Sequence, residues 1–384
     1  MSRKVGIVGV GQTKCDDIKE KRSQTYYDMV FEATKKALDD AGLERGNIDT
    51  VVEAAYDLMD GRTISNMYLC TAAGGYLKDE SRVAEDGTFA LAYAYMRIAS
   101  GLFDTAVVAA HGNREGANEL ASSYIFDPFF YRPVGANYLT TAALQATRYI
   151  TKYNESEETV ANVVVKNREN GINNPYAHLR SKATVKDVLD SKIVSWPLRE
   201  LELPPKSAGA CTLILAEEDV ALRITDTPIW IGGIAWSVDT YHIGSKELAE
   251  LTPATIAAKR AYKMADIENP LKQIDVAEIH DATAFHELME YEALGFCEKG
   301  EGGKLLAEGV TSIGGELPVN PSGGVLCADP YPATGLTRVI EAALQLRGEA
   351  GERQIPAAET ALAHGLSVAS GSAAQTNCVI VLRG

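Results

Sequence analysis

Residues 277–302 read AEIHDATAFHELMEYEALGFCEKGEG, and residues 314–351 read GGELPVNPSGGVLCADPYPATGLTRVIEAALQLRGEAG. The run that follows Asp275 predicts a strand, and it ends at His280-Asp281. That sets an imidazole at a strand end, with His286 on the helix that follows. The second stretch carries a glycine-rich loop, Asn320 to Gly324, followed by Cys327-Ala328-Asp329-Pro330.

Working outward, the same order of elements occurs twice. Residues 4–11, KVGIVGVG, read as a buried strand. A helix is predicted over about 25–42, with Met29, Val30, Ala33 and Ala37 at helical spacing and Gly42 as its C-cap. NIDTVVEAA then begins a strand at Asp49. In the second half, 228–236 read as a strand, about 252–267 as a helix, and QIDVAEIHDA as a strand after Asp275. Strand, helix, Ile-Asp and strand recur at nearly equal spacing, which predicts two homologous α/β halves with mainly parallel or mixed sheets. Between them, residues 114–200 are rich in Tyr, Asn, Arg and Pro and predict an inserted loop-and-helix region. TAALQATRYITKYN and ESEETVANVVVKNREN are its amphipathic helices, the second starting at Ser156. Residues 207–218 return to a buried strand.

Composition narrows the class. The chain has 384 residues, of which 46% are hydrophobic and 23% charged, as in globular proteins. Formal net charge is −15, which argues against nucleic acid or an anionic membrane surface as main partner. No run approaches the ~20 apolar residues of a membrane span. The N-terminus leads straight into a strand without a signal-peptide pattern, so a cytoplasmic protein is expected. Cys15, Cys70, Cys211, Cys297, Cys327 and Cys378 are scattered without a CxxC pair, so free thiols and no metal in this chain are expected. The run Gly6 to Gly11 has the spacing GxxGxG rather than GxGxxG and lacks a suitably placed acid, which argues against a dinucleotide site.

Together, the two C-terminal stretches resemble the thiolase superfamily in its sterol-carrier-protein-type and archaeal-type branches. The match lies in His280-Asp281-Ala282-Thr283, in Leu294-Gly295-Phe296-Cys297, and in Leu317 to Gly324. GIVGVGQT near the N-terminus, NREN and NPYA in the middle, and ALAHGLSVASGSA at the end extend it over nearly the whole chain. The resemblance implies a thiolase fold: two βαβαβαββ halves in a five-layered αβαβα arrangement, at least dimeric. It divides the chain into an N-terminal half (1–113 with 201–225), an inserted loop domain over the coenzyme A site (114–200) and a C-terminal half (226–384). It also implies a small zinc-ribbon/OB-fold partner subunit. Within the superfamily, the chain is most similar to the branch that takes bulky aromatic β-ketoacyl-CoA esters in anaerobic toluene degradation. Tyr124, Tyr131 and Tyr138 suit such a substrate.

Two departures from the family pattern matter. The nucleophilic Cys-x-Ser-Gly turn is matched by Ala84-Glu85-Asp86-Gly87, so Ala84 stands where the cysteine should be. The Gly-His-Pro histidine is replaced by Asp329, in a loop about one residue shorter. His280 then survives from the family's catalytic set, with His364 near the usual oxyanion loop. A thiol at a helix tip is activated by the dipole and nearby imidazoles, and a methyl group cannot replace it. The backbone amides there, with Gly365 and Gly371, could still hold an oxyanion.

Three chemistries follow. Free coenzyme A thiolate attacks the keto carbon of a β-ketoacyl-CoA, with His280 as base or as the group that orients the thiol. Alternatively, a β-hydroxyacyl-CoA undergoes retro-aldol cleavage. Alternatively, the chain binds CoA esters without chemistry and scaffolds a partner. Asp329 accepts a hydrogen bond or caps the turn before Pro330, and Cys327 is a candidate replacement nucleophile. The basic residues Lys166, Arg168, Arg180, Lys182 and Lys186 suit the phosphates of coenzyme A, with Gly323 and Gly324 beside the cofactor. His111, His178, His242 and His286 are read as structural.

Overall fold

The structure is a computed structural model and describes residues 3–17, 20, 24–113, 123–367 and 374–384. In the first half, β1 (Val5–Gln12) is buried along its whole length. It is followed by α1 (Tyr26–Ala41), β2 (Thr50–Ala54), β3 (Asp79–Val83), α2 (Gly87–Ala99) and β4 (Thr105–Asn113). Helix α1 starts where the sequence predicts: Thr25 and Asp28 exchange backbone–side-chain hydrogen bonds of 2.8 and 3.2 Å, and Gly42 closes the helix at φ +62°. Between β4 and β5 (Ala208–Glu217) lie α3 (Tyr138–Tyr153), α4 (Glu157–Gly171, capped by Ser156), a short helix at 185–190 and a small hairpin at 193–199.

The second half repeats the plan with β6 (Ile229–Val238), α5 (Thr252–Met264), β7 (Val276–Glu278), α6 (Ala284–Ala293), α7 (Thr334–Arg347), β8 (Thr360–Ser367) and β9 (Thr376–Arg383). Strand order is β3-β2-β4-β5-β1 and then β6-β9-β8-β7. The two series are mirror images. β2–β3, β2–β4 and β7–β8 are parallel, and the other neighbours within each series are antiparallel. They meet where Gly6 pairs with Trp230 and Ile7 with Ile229. Beyond β7, a parallel bridge from Ala277 to Val319 takes the place that β3 has in the first half.

Three apolar clusters build five layers. One packs α1 on the outer face of the first sheet. A second sets α2 and α7 between the two halves of the continuous nine-stranded sheet. The third packs α5, α6 and the helices α3 and α4 against the other sheet. The repeated Ile-Asp has a physical reason. Oδ2 of Asp49 accepts the amides of Asp104 and Thr105 at 3.0 and 2.9 Å, which fixes the start of β4. Oδ2 of Asp275 accepts the amides of Glu359 and Thr360 at 2.9 and 2.8 Å, which fixes the start of β8.

The glycine run of β1 also finds its reason in packing. A Cβ on Gly9 would lie 2.4 Å from the carbonyl oxygen of Ala37, and one on Gly233 of β6 2.1 Å from that of Ala261. Both glycines let a helix backbone seat on the sheet. Two elements are shorter than predicted. α5 stops at Met264, ahead of a left-handed Asp266 at φ +53°, and the strand after Asp275 has three residues. Among the described residues, no helix is long and apolar enough to cross a membrane.

Candidate active site

Three residues of β7 lead directly into Ile279, His280 and Asp281, and the loop 320–325 is fastened around that turn. Asn320 accepts the Ile279 amide at 2.8 Å and donates to Glu287 at 3.0 Å. Ser322 donates to Glu278 at 2.6 Å, and Glu278 also pairs with Arg338 of α7 at 2.7 Å. Asp281 accepts the Val325 and Leu326 amides at 2.6 and 3.2 Å, and Asn167 of α4 at 2.9 Å. Burial, and then the neighbouring Glu287, push the Asp281 carboxyl up to about 8. These bonds account for the conspicuous Asn320–Gly324 and His280-Asp281 motifs as one interlocked turn.

His280 itself is fully buried. Its Nδ1 accepts the amide of Leu366 at 3.2 Å, and its own amide donates to Nδ1 of His364 at 3.4 Å. Burial lowers the His364 imidazole to about 4. His286, on α6, is lowered to about 4 by burial and by His364, and it bonds Thr283 and Gln145 at 3.0 and 3.1 Å.

Ala84 lies exposed on the turn between β3 and α2. Two residues on, Asp86 is buried and caps two helices at once. Its Oδ1 accepts the Thr88 amide at 3.0 Å at the start of α2, and its Oδ2 accepts the Gly335 amide at 2.8 Å at the start of α7. Burial pushes its carboxyl up to about 6. Gly365 of β8 rests directly on this cap, since a Cβ there would lie 2.1 Å from Oγ1 of Thr88 and 2.6 Å from Oδ1 of Asp86. One residue later comes the Leu366 amide that bonds His280. Next to it, Ser367 bonds the phenol of Tyr331 at 3.1 Å. The segment 365–367 thus joins the α2 tip, the imidazole of His280 and Tyr331. Gly371 lies outside the described residues.

Asp329 is buried, accepts the Thr334 hydroxyl at 2.6 Å, and bonds Ser207 through its amide at 3.1 Å. Ser207 also meets Nδ1 of His178 at 2.9 Å. The thiol of Cys327 is buried against the carbonyl of Asn167 at 3.3 Å, and burial pushes it up to about 12, so it rests as a thiol. His111 pairs with Asp60 at 3.0 Å.

The basic residues divide. Lys166 is buried and its ammonium meets Glu287 at 2.9 Å, the Val319 carbonyl at 2.9 Å and Asn167 at 2.6 Å. Those contacts are internal to the fold. Lys182 pairs with Glu169 at 2.9 Å, Lys186 pairs with Asp190, and Arg180 donates to the Ile172 carbonyl at 3.1 and 3.0 Å. Arg168 differs: it is 8% exposed, makes no ion pair among the described residues, and reaches only the Ser181 hydroxyl, at 3.5 Å. Gly323 and Gly324 are buried at φ +94° and +66°, packed against Gly171 and Asp281. Sequence reasoning missed Asp86 and Glu290. An Asp before Gly-Thr at a helix start is a legible capping signal; Glu290 had none.

A profile described as Thiolase C-terminal domain-like matches residues 235–383. The acetyl-CoA acetyltransferase of Methanothermobacter thermautotrophicus is 34% identical over 385 residues, covering 97% of this chain and 98% of the relative. The benzoylsuccinyl-CoA thiolase subunit BbsB of Thauera aromatica is 28% identical, covering 95% and 94%. Among solved structures, the Ltp2-ChsH2(DUF35) aldolase matches with a TM-score of 0.85 at 24% identity over 99% of this chain and 98% of that one. Human mitochondrial 3-ketoacyl-CoA thiolase matches at 0.75 with 14% identity over 100% and 99%.

Proposed function

This chain belongs to the thiolase superfamily, and on that premise we propose that it is an acyltransferase that cleaves a carbon–carbon bond of a bulky β-ketoacyl-CoA with free coenzyme A and forms no bond to the acyl group itself. The observation that supports this reading is the segment 365–367: Gly365 rests on the Asp86 cap of α2 and the Leu366 amide bonds the imidazole of His280, while Ala84, two residues before that cap, stands where the family pattern has its thiol.

The tautomer defines the role of His280. With Nδ1 accepting the Leu366 amide, the ring hydrogen of the neutral form sits on Nε2. His280 is then a hydrogen-bond donor, suited to oxygen that gains charge, rather than a resting base. Coenzyme A thiolate forms the new C–S bond at the keto carbon, and the oxygen there gains negative charge that Nε2–H stabilises. The C–C bond then breaks, its electron pair passes to the α-carbon of the departing acyl-CoA as an enolate, and a proton from water completes it. Thiolate is the attacking species because thiol itself is a poor nucleophile.

Arg168 is the basic residue best suited to a coenzyme A phosphate, since it makes no ion pair and its Nε has no acceptor among the described residues. In this reading residues 114–200 cover the coenzyme. The substrate class is that of 2-benzoylsuccinyl-CoA, yielding benzoyl-CoA and succinyl-CoA, by similarity to the Thauera relative. A homodimer in the cytoplasm with a small zinc-ribbon/OB-fold companion completes the proposal; the DUF35 component named in the aldolase structure supports the companion.

The test is product analysis on β-keto and β-hydroxy thioesters with the chain and its copurifying companion. CoA-dependent formation of two acyl-CoA products supports the reading. Release of a free aldehyde or ketone without CoA indicates retro-aldol cleavage, and no turnover on either class indicates a binding subunit.

A further inference from the structure

Away from His280, a cleft of about 430 Å³ opens between α1, the turn Arg45–Asn47 and the segment that leads into β3. Its walls are Arg45, Lys78, Tyr27, Tyr76 and Thr71, with two glycines between them. The chain has a net charge of −15, yet none of the described residues lining this cleft is acidic.

The two cations are held in place but not neutralised. The Lys78 ammonium donates to the carbonyl of Ile48 at 2.6 Å and to that of Arg45. Its third hydrogen has no acceptor among the described residues. The Arg45 guanidinium lies over the ring of Phe31, 4.9 Å from its centroid, and makes one long bond of 3.4 Å, to the Thr71 carbonyl. Neither side chain makes an ion pair among the described residues. Burial lowers the Lys78 ammonium from its ordinary value; Asp49 opposes this and Arg45 adds to it. Two like charges around one cleft are stabilised when an anion joins them.

The donor set selects the anion. A planar guanidinium fork and a point-charge ammonium suit phosphate. The cleft is much larger than one phosphate group, and phenol rings make up much of the remaining wall. Tyr27 is anchored, with its hydroxyl 3.4 Å from that of Thr71 and its ring edge-on to Tyr68 at 6.0 Å. Tyr76 is 70% exposed at the rim. Aromatic faces of this kind stack on nucleobases.

We propose that this cleft binds a nucleoside phosphate, with its phosphate on Arg45 and Lys78 and its base against Tyr27 and Tyr76. The ligand is a free nucleotide or the nucleotide end of a coenzyme A ester, which share this chemistry. Arg168 belongs to a different place, on α4, which packs with the second half of the sheet, whereas Tyr27 is on α1, against the first. The site stands whichever bond the active site cleaves.

Calorimetric titration of the full chain with inorganic phosphate, ADP and coenzyme A tests it. ADP should bind saturably. Arg45→Gln should weaken ADP by at least about tenfold, the usual loss for a charge-assisted bond, with thermal stability unchanged. Arg168→Ala should leave ADP binding as in wild type. Phosphate alone should bind at least about tenfold more weakly than ADP, because it lacks the stacking base. No saturable binding of ADP or of coenzyme A, equal affinity for phosphate and ADP, or an Arg45→Gln variant that binds as wild type overturns the proposal. Coenzyme A added to Arg168→Ala names the source: displacement of ADP identifies the coenzyme, and ADP that stays bound identifies a free nucleotide. Lys78 also ties two carbonyls, so it is probed in wild type. Pyridoxal phosphate with borohydride should label Lys78, and saturating ADP should slow that labelling by at least about tenfold. Labelling at Lys78 that ADP does not slow overturns the proposal.

Discussion

The amide of Leu366 donates to Nδ1 of His280 at 3.2 Å, and this one bond decides which ring nitrogen carries the hydrogen of the neutral imidazole. His280→Ala should lower the CoA-dependent cleavage rate by about 10²–10³, the usual cost of losing an oxyanion donor, with an unchanged circular dichroism spectrum. The remaining activity should still climb with pH toward about 8.5 as thiol ionises. A variant with wild-type turnover would remove His280 from the mechanism.

Ala84→Cys would restore a thiol three residues ahead of α2, at a position open to solvent. The helix tip should lower its pKa, so it should alkylate faster than the half-buried Cys70 and Cys297. With a β-keto thioester the variant should carry an acyl adduct at residue 84 by peptide mass spectrometry, whereas wild type carries none anywhere. An adduct on a wild-type side chain contradicts the direct-attack reading.

Asp86→Ala removes the cap of two helices and should cost roughly 1–4 kcal/mol, twice the usual single-cap range. Because burial raises the folded carboxyl from 3.8 to about 6, the protonated form is the one the fold favours. Its contribution is complete below about pH 4 and declines as pH rises through about 6. Urea titrations across that window should show the decline in wild type and not in Asp86→Asn.

Lys166 and Arg168 should separate cleanly. Lys166→Met leaves Glu287 buried without its cation and should destabilise by roughly 3–5 kcal/mol. Arg168→Ala should leave thermal stability nearly unchanged and raise KM for coenzyme A several-fold. The reverse pattern would exchange the two roles.

Elements whose signals are local were legible. Thr25, Asp28 and Gly42 delimit α1 by bonds within one turn, and Ser156 starts α4 in the same way. The internal repeat was legible because each half needs an aspartate at the same place to tie one strand to the next, as Asp49 and Asp275 do. The site was half legible. His280 was visible as an imidazole at a strand end, but its tautomer depends on an amide 86 positions away. The basic residues of 166–186 looked alike in sequence, yet Lys166 faces Glu287 inside the fold while Arg168, among the described residues, meets a hydroxyl and no carboxylate.

By itself the chain's sequence determined two α/β halves, their caps, and the absence of a thiol at position 84, because helix and strand signals act over a few residues. Tertiary structure alone decided that Asp86 bonds Gly335 across 249 positions and that Glu290 faces His364. Charge state and hydrogen direction follow from which groups are buried together, and that is set by elements far apart in the chain packing against one another.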